Sequence, residues 1–151
     1  MWDDAPLEHI DAEHLRRRLG FAGPEPYLID ADIRTNLTFG LGAPTIDEIA
    51  IERALHVACA EFVYDLDGRL AYQLRENGDG ISAGQKQRIA LARCILRQPD
   101  VLILDEATAN LDEPTERLFF ERLFHAFPEM MVIAVSHRSS LRAFATRLVE
   151  L

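Results

Sequence analysis

ISAGQKQRIALARCILRQPDVLILDEATANLD, residues 81–112, sets a capped helix, a buried strand and two adjacent carboxylates in one run. Ser82 and Gln85 form an S-x-x-Q capping box, the pattern in which two backbone N–H groups at a helix start are satisfied reciprocally. Ile89, Ala92, Ile95 and Leu96 follow at helical spacing as a buried stripe, and Gln98-Pro99 ends the helix. VLILD (101–105) is short, apolar and rich in branched residues, as a strand covered on both faces is. Asp105 and Glu106 stand where that strand stops. In parallel α/β sheets the carboxyl ends of strands form the ligand crevice. An aspartate there suits Mg²⁺, directly or through water, and a neighbouring glutamate can orient or deprotonate a water. The plainer alternative is an aspartate that only caps the following turn.

Reading downstream, Pro114 falls in the first turn of a second helix whose stripe is Phe120, Leu123, Phe124 and Phe127, closed by Pro128. MMVIAVS (130–136) is another apolar strand, so strand, helix and strand make a right-handed crossover with parallel strands. His137 ends this second strand and opens onto the same crevice as Asp105 and Glu106; alone, it would read as a solvated surface histidine. The final RLVEL is a further apolar, strand-like piece. Upstream, residues 1–20 are polar and charged, and Arg16, Arg17 and Arg18 read as a solvated helix end. GFAGPEPYLID begins as a short strand and is broken by Gly23, Pro24 and Pro26. Thr45 and Glu48 make a T-x-x-E box that predicts a helix from about Ile46, and a short helical piece follows over 60–66. Residues 33–74 therefore read as a mostly helical layer, closed by the polar loop RENGDG.

Composition narrows the class. The 151 residues are 48% hydrophobic and 27% charged, enough for one core, and no apolar run has the roughly 18 residues that a membrane-crossing helix needs. The acidic start lacks the apolar stretch of a signal peptide. A net charge of −9 argues against nucleic acid as a partner, since a basic face supplies most nonspecific affinity there. Cys59 and Cys94 sit in apolar helical patterns without metal-ligand spacing and read as reduced core thiols. Of the 16 basic residues only Lys86 is a lysine.

The small residues of ISAGQ would let backbone N–H groups approach an anion at the positive end of a helix dipole, although S-A-G-Q alone reads more readily as a plain capped start. Taken with the DE pair and the SHR that follows the second strand, the pattern resembles the nucleotide-binding domains of ABC transporters. ISAGQ matches the family signature, usually L-S-G-G-Q; VLILDE matches its Walker B strand; ANLD, 109–112, its D-loop; and His137 its switch histidine. PEPYLIDADIRTNLTFG resembles the helical-subdomain entry of exporter-type members. The resemblance implies an α/β fold: part of a P-loop NTPase core, with parallel strands and crossover helices, plus an α-helical subdomain. Residues 1–30 would end the N-terminal core portion and hold the sensor loop, 31–80 would be the helical subdomain, and 81–151 would carry the signature helix and the Walker B and switch part of the core.

It also implies roles. Asp105 would bind Mg²⁺ through water, Glu106 would polarise the hydrolytic water, and His137 would contact the γ-phosphate of ATP. Ser82, with the backbone of Ala83, Gly84 and Gln85, would touch the γ-phosphate of ATP held by a second nucleotide-binding domain, paired head to tail. Asp112 would cross that interface. Electrostatic positioning of this kind carries most of the catalysis in phosphoryl transfer. The partners implied are that second domain and a transmembrane domain, at the cytoplasmic face of a membrane.

Three departures stand out. No G-x-x-x-x-G-K-[ST] loop occurs, because Gln85 precedes the single lysine, Lys86; the expectation is a fragment or truncated product, inactive alone. The position where the family commonly has a sensor glutamine is Pro24, which has no carboxamide, with Glu25 beside it. Ala83 replaces a usual glycine, at a cost of roughly 1–2 kcal/mol if that residue needs a left-handed backbone; tolerance is the expectation. Two other readings stay open: a non-catalytic subunit lending ISAGQ in trans, and a soluble ABC ATPase that is no transporter. With no loop and lysine to wrap phosphates, the 151 residues alone should bind ATP no tighter than millimolar. Titration calorimetry checks this, and micromolar binding would overturn it.

Overall fold

In the computed structural model the described residues are 11–41, 46–75 and 78–149. Three parallel strands, β1 (Leu19–Ala22), β2 (Val101–Asp105) and β3 (Met131–Val135), lie in the order β1-β2-β3. Leu19 pairs with Val101, and Val101 in turn with Met131, so the strands start level and their carboxyl ends finish together. β2 is central and covered, with Leu102 fully buried and Leu104 nearly so. That matches the unbroken apolar run by which it was read. β1 approaches so closely that a Cβ on Gly20 would stand 2.9 Å from Pro99 Cγ and 3.0 Å from Leu102 Cδ1, so any larger residue must displace those side chains.

The α-helices among the described residues are α1 (Ala12–Arg18), α2 (Ile33–Thr38), α3 (Glu48–Val57), α4 (Ala83–Leu96) and α5 (Glu113–Ala126). The capping box at Ser82 and Gln85 is fully formed. α4 ends as its sequence requires: Gln98 takes a left-handed turn (φ 49°), donates its N–H to Ile95 O and hands over to Pro99. The helix expected from about Ile46 starts at Glu48 instead. Asp47 caps it, accepting from the Ile49 N–H at 3.1 Å, because a carboxylate beside the first turn does the work assigned to Thr45. Thr45 itself lies outside the described residues. The 60–66 piece is a 3₁₀ turn, Glu61–Asp65. Part of the RENGDG loop, Glu76 and Asn77, also lies outside the described residues.

Asn36 and Arg93 attach the helical layer to α4. The buried Asn36 side chain accepts from the Ile29 N–H and donates to Ile29 O. Arg93 donates to the carbonyls of Asn36 (2.7 Å) and Tyr27 (2.8 Å), pinning the proline-rich segment across the helix. Ile33, Leu37, Ile51, Leu55, Ile89 and Phe119 then share one core with Leu102 and Leu104. Cys59 and Cys94 are both buried and free, as read, and burial pushes both thiols up. Arg18 is more than a solvated helix end, since it pairs with Asp100 just before β2.

One strand expectation holds and one needs correction. β3 forms, but its side chains are mostly exposed: Met131 60%, Ile133 48% and Val135 50%. It is an edge strand, with a ladder on one side only among the described residues. The apolar RLVEL is not a strand over its described residues, where Leu148 and Val149 stand exposed. A strand gains stability by pairing, and no neighbour is offered to them among the described residues. The contrast between strands predicts that Leu102→Ala costs about 2–5 kcal/mol in urea unfolding and Ile133→Ala less than about 1 kcal/mol. Equal losses would contradict this layering.

Candidate phosphate-facing site at the strand ends

Asp105 closes β2 opposite Val135. Glu106, one residue on, is still tied to the neighbouring strand, because its N–H donates to Val135 O at 3.0 Å. Its backbone is left-handed, φ 51°, which for a non-glycine residue costs of order 1–3 kcal/mol. The Ala109 N–H, donating to Glu106 O at 3.0 Å, folds the chain back and holds that turn. The Glu106 side chain is largely covered, and its Oε1 is buried without a hydrogen-bond partner among the described residues. His137 Nε2 lies 3.3 Å from that oxygen, at ion-pair distance but outside hydrogen-bonding alignment. The imidazole is otherwise open, 98% exposed. Asp105, Glu106 and His137 thus gather at the carboxyl ends of β2 and β3, as the sequence indicated. A strained backbone and an orphaned carboxylate oxygen are features that stable folds seldom keep without use.

The second group of residues starts α4. Ser82 Oγ accepts from the Gln85 N–H at 3.2 Å, and Gln85 Oε1 accepts from the Ser82 N–H at 2.8 Å. The Ser82 hydroxyl proton is left to be donated outward. Ala83 is the first residue of α4 and is not among the positive-φ residues, so the left-handed cost foreseen for it does not arise. Gly84 matters sterically: a Cβ there would stand 2.8 Å from Asn110 O. The start of α4 therefore rests on the 107–112 loop. Asp112 ends that loop as the cap of α5, accepting from the Thr115 N–H at 2.8 Å. That backbone N–H, helped by the Thr115 hydroxyl, holds its carboxyl below the usual range. Glu25 and Pro24 are exposed.

Sequence reading missed the polar residues behind this surface. Gln87, fully buried, donates to Gly23 O at 3.0 Å and accepts from Asn110 Nδ2 at 3.2 Å, joining the loops after β1 and β2. Glu116, also fully buried, accepts from Thr108 (2.5 Å) and Ser140 (2.7 Å). A signal for both was present. Gln87 lies four residues before Leu91 and Glu116 four before Phe120, so each is a polar residue in an otherwise apolar stripe.

Among the described residues no group of three or more His, Cys, Asp or Glu could cage a metal. Asp105 places one carboxylate at the end of β2, the donor type that Mg²⁺ takes alongside waters and phosphates. Two surface hollows, of about 390 and 330 Å³, are lined from the helical layer and α5 and include none of the residues above.

The family model for ABC transporters matches residues 1–109. The chain belongs to this family. It is 36% identical over 139 residues to a multidrug resistance ABC transporter ATP-binding and permease protein of Lactococcus lactis, and 37% over 139 residues to an ATP-dependent lipid A-core flippase of Xylella fastidiosa. Each match covers 91% of this chain and 23% of the relative. A bacterial Atm1-family ABC exporter with ATP bound superposes with a TM-score of 0.82 at 27% identity, over 92% of this chain and 24% of that one. The chain therefore has the fold of an exporter-like ABC nucleotide-binding domain and spans under a quarter of the length of these relatives.

Within this ABC fold the adjacent positions 83 and 84 should respond unequally. Gly84→Ala drives a Cβ into a backbone carbonyl and should cost about 1–3 kcal/mol. Ala83→Gly, at an ordinary helical position, should cost no more than about 1 kcal/mol. Thermal unfolding of both variants checks this, and a larger loss at Ala83 would reverse the assignment.

Proposed function

We propose that the chain supplies the water-activating and signature parts of an ATP-hydrolysing site in an exporter-like ABC transporter, where hydrolysis drives transport across a membrane. The observation that carries the proposal is Glu106: a left-handed residue just past the end of β2 whose buried Oε1 accepts no hydrogen bond among the described residues and lies 3.3 Å from His137. A carboxylate held in this way accepts a proton from a water aimed at a phosphate, and His137, exposed beside it, contacts the γ-phosphate. Asp105 would hold Mg²⁺ through water, and the ion would neutralise charge on the phosphates when bound. The Ser82 hydroxyl and the N–H groups of Ala83, Gly84 and Gln85 donate to the γ-phosphate of ATP gripped by a second, head-to-tail domain, with Asp112 at the seam. In this reading the residues named here form one part of a composite site.

The same reading divides the chain into a sensor-loop portion (1–30), a helical subdomain (31–80) and a signature and Walker B portion (81–151). Relatives whose names combine ATP-binding and permease parts support a transmembrane partner. Among the described residues no helix is long and apolar enough to cross a membrane; the permease part of the relatives is what supports a position at the cytoplasmic face of a membrane. The exposed apolar strand β3 supports burial against more of the core in the assembled ATPase.

In the assembled transporter, Glu106→Gln should lower turnover by about 10²–10⁴-fold and leave ATP-dependent dimerisation intact. Steady-state hydrolysis and size-exclusion chromatography with ATP read the two effects. Turnover retained by Glu106→Gln would remove Glu106 from this role.

A further inference from the structure

Arg138 follows His137 directly, yet its side chain turns back onto the loop after β2. One guanidinium nitrogen, Nη1, donates to Leu111 O and the other, Nη2, to Ala109 O, each at 2.7 Å. Nη1 also lies 3.6 Å from Oε1 of Glu116, a carboxylate with no exposed surface. Both Glu116 oxygens are bonded as well, Oε1 by Thr108 from the β2 loop and Oε2 by Ser140 from the β3 segment. Two segments that are distant along the chain thus meet on one buried charge. A buried carboxylate is costly unless a cation and hydrogen bonds compensate it, so this arrangement has little freedom to drift.

We propose that Arg138, anchored by Glu116, is a positioning residue that clamps the loop carrying Glu106 to the segment carrying His137. The clamp explains how the left-handed turn at Glu106 is kept: the carbonyls of Ala109 and Leu111, on the far side of the same tight loop, are held by a planar fork that reaches both at once. A lysine ammonium keeps the charge that Glu116 needs but cannot reproduce that two-pronged grip. Reacting groups displaced by about 1 Å lose on the order of 10²-fold in rate, so a loosened clamp should register in chemistry before it registers in binding.

This rests in part on the reading of Glu106 and His137 given above, and the test separates the two. In the 151-residue chain without nucleotide, Arg138→Lys should speed hydrogen exchange at the amides of Glu106, Ala109 and Leu111 at least tenfold. Amides within α4 should be unchanged. These three amides report directly, since each donates within the turn or to β3. Unchanged exchange there overturns the clamp, whatever the transporter does. In the assembled ATPase, Arg138→Lys should lower kcat at least tenfold while KM for ATP moves less than twofold. Faster exchange with unaltered kcat overturns the positioning role. Glu116→Gln keeps the shape and an acceptor oxygen but removes the charge, and carries the same pair of measurements should the arginine variant fold poorly. If the wild-type assembly hydrolyses no ATP, the functional reading fails and the exchange experiment still decides the clamp.

Discussion

Strand β2 is hydrogen-bonded along both edges and covered along most of its length, and the rest of the molecule is arranged around that constraint. Because both neighbours are parallel to it and in level register, all three strands end at one rim. The loops that follow β2 and β3 therefore emerge side by side, and the Glu106 N–H is still bonded to β3 after β2 itself has ended. The tight turn at Glu106 follows from this. A chain leaving a doubly paired strand must break the ladder abruptly, and here the break falls on a residue with a positive φ. Backbone strain at that point is offset by the surrounding bonds, and the orphaned carboxylate oxygen is a second cost carried in the same place.

Behind the rim the fold uses buried polar groups where an apolar core would have been simpler. Gln87 bridges the loops after β1 and β2, while Glu116 and Arg138 bridge those after β2 and β3. Each is satisfied by several partners, the condition under which a buried network stiffens a site. Gly84 adds a steric counterpart by allowing the start of α4 to rest directly on Asn110. Signature helix, strand-end carboxylates and exposed histidine are thereby linked within one chain, although ABC-type chemistry would use the first and the last two on opposite sides of a pair of domains.

The exposed face of β3 is the counterweight to this order. Met131, Ile133 and Val135 show that the sheet is apolar beyond what the described residues cover. The family match, over residues 1–109, takes in ISAGQ, Asp105 and Glu106.

How much was legible in the sequence followed the range of the interactions involved. The capping box at Ser82, the double burial of VLILD, the proline-marked start of α5 and the convergence of Asp105, Glu106 and His137 all follow from spacings of a few residues and from parallel crossover geometry. The helix near Ile46 was located but its cap was assigned to the wrong residue, because Thr45 and Asp47 are both competent and only the folded backbone chooses between them. RLVEL had the composition of a strand but no neighbour to pair with among the described residues, and pairing is not written in a single segment. Burial of Gln87 and Glu116, the grip of Arg138 on two carbonyls and the left-handed turn at Glu106 depend on residues tens of positions apart. The sequence by itself determined which residues could do the chemistry; only the tertiary structure decided how they are held, because each holding contact joins loops that meet solely through the sheet.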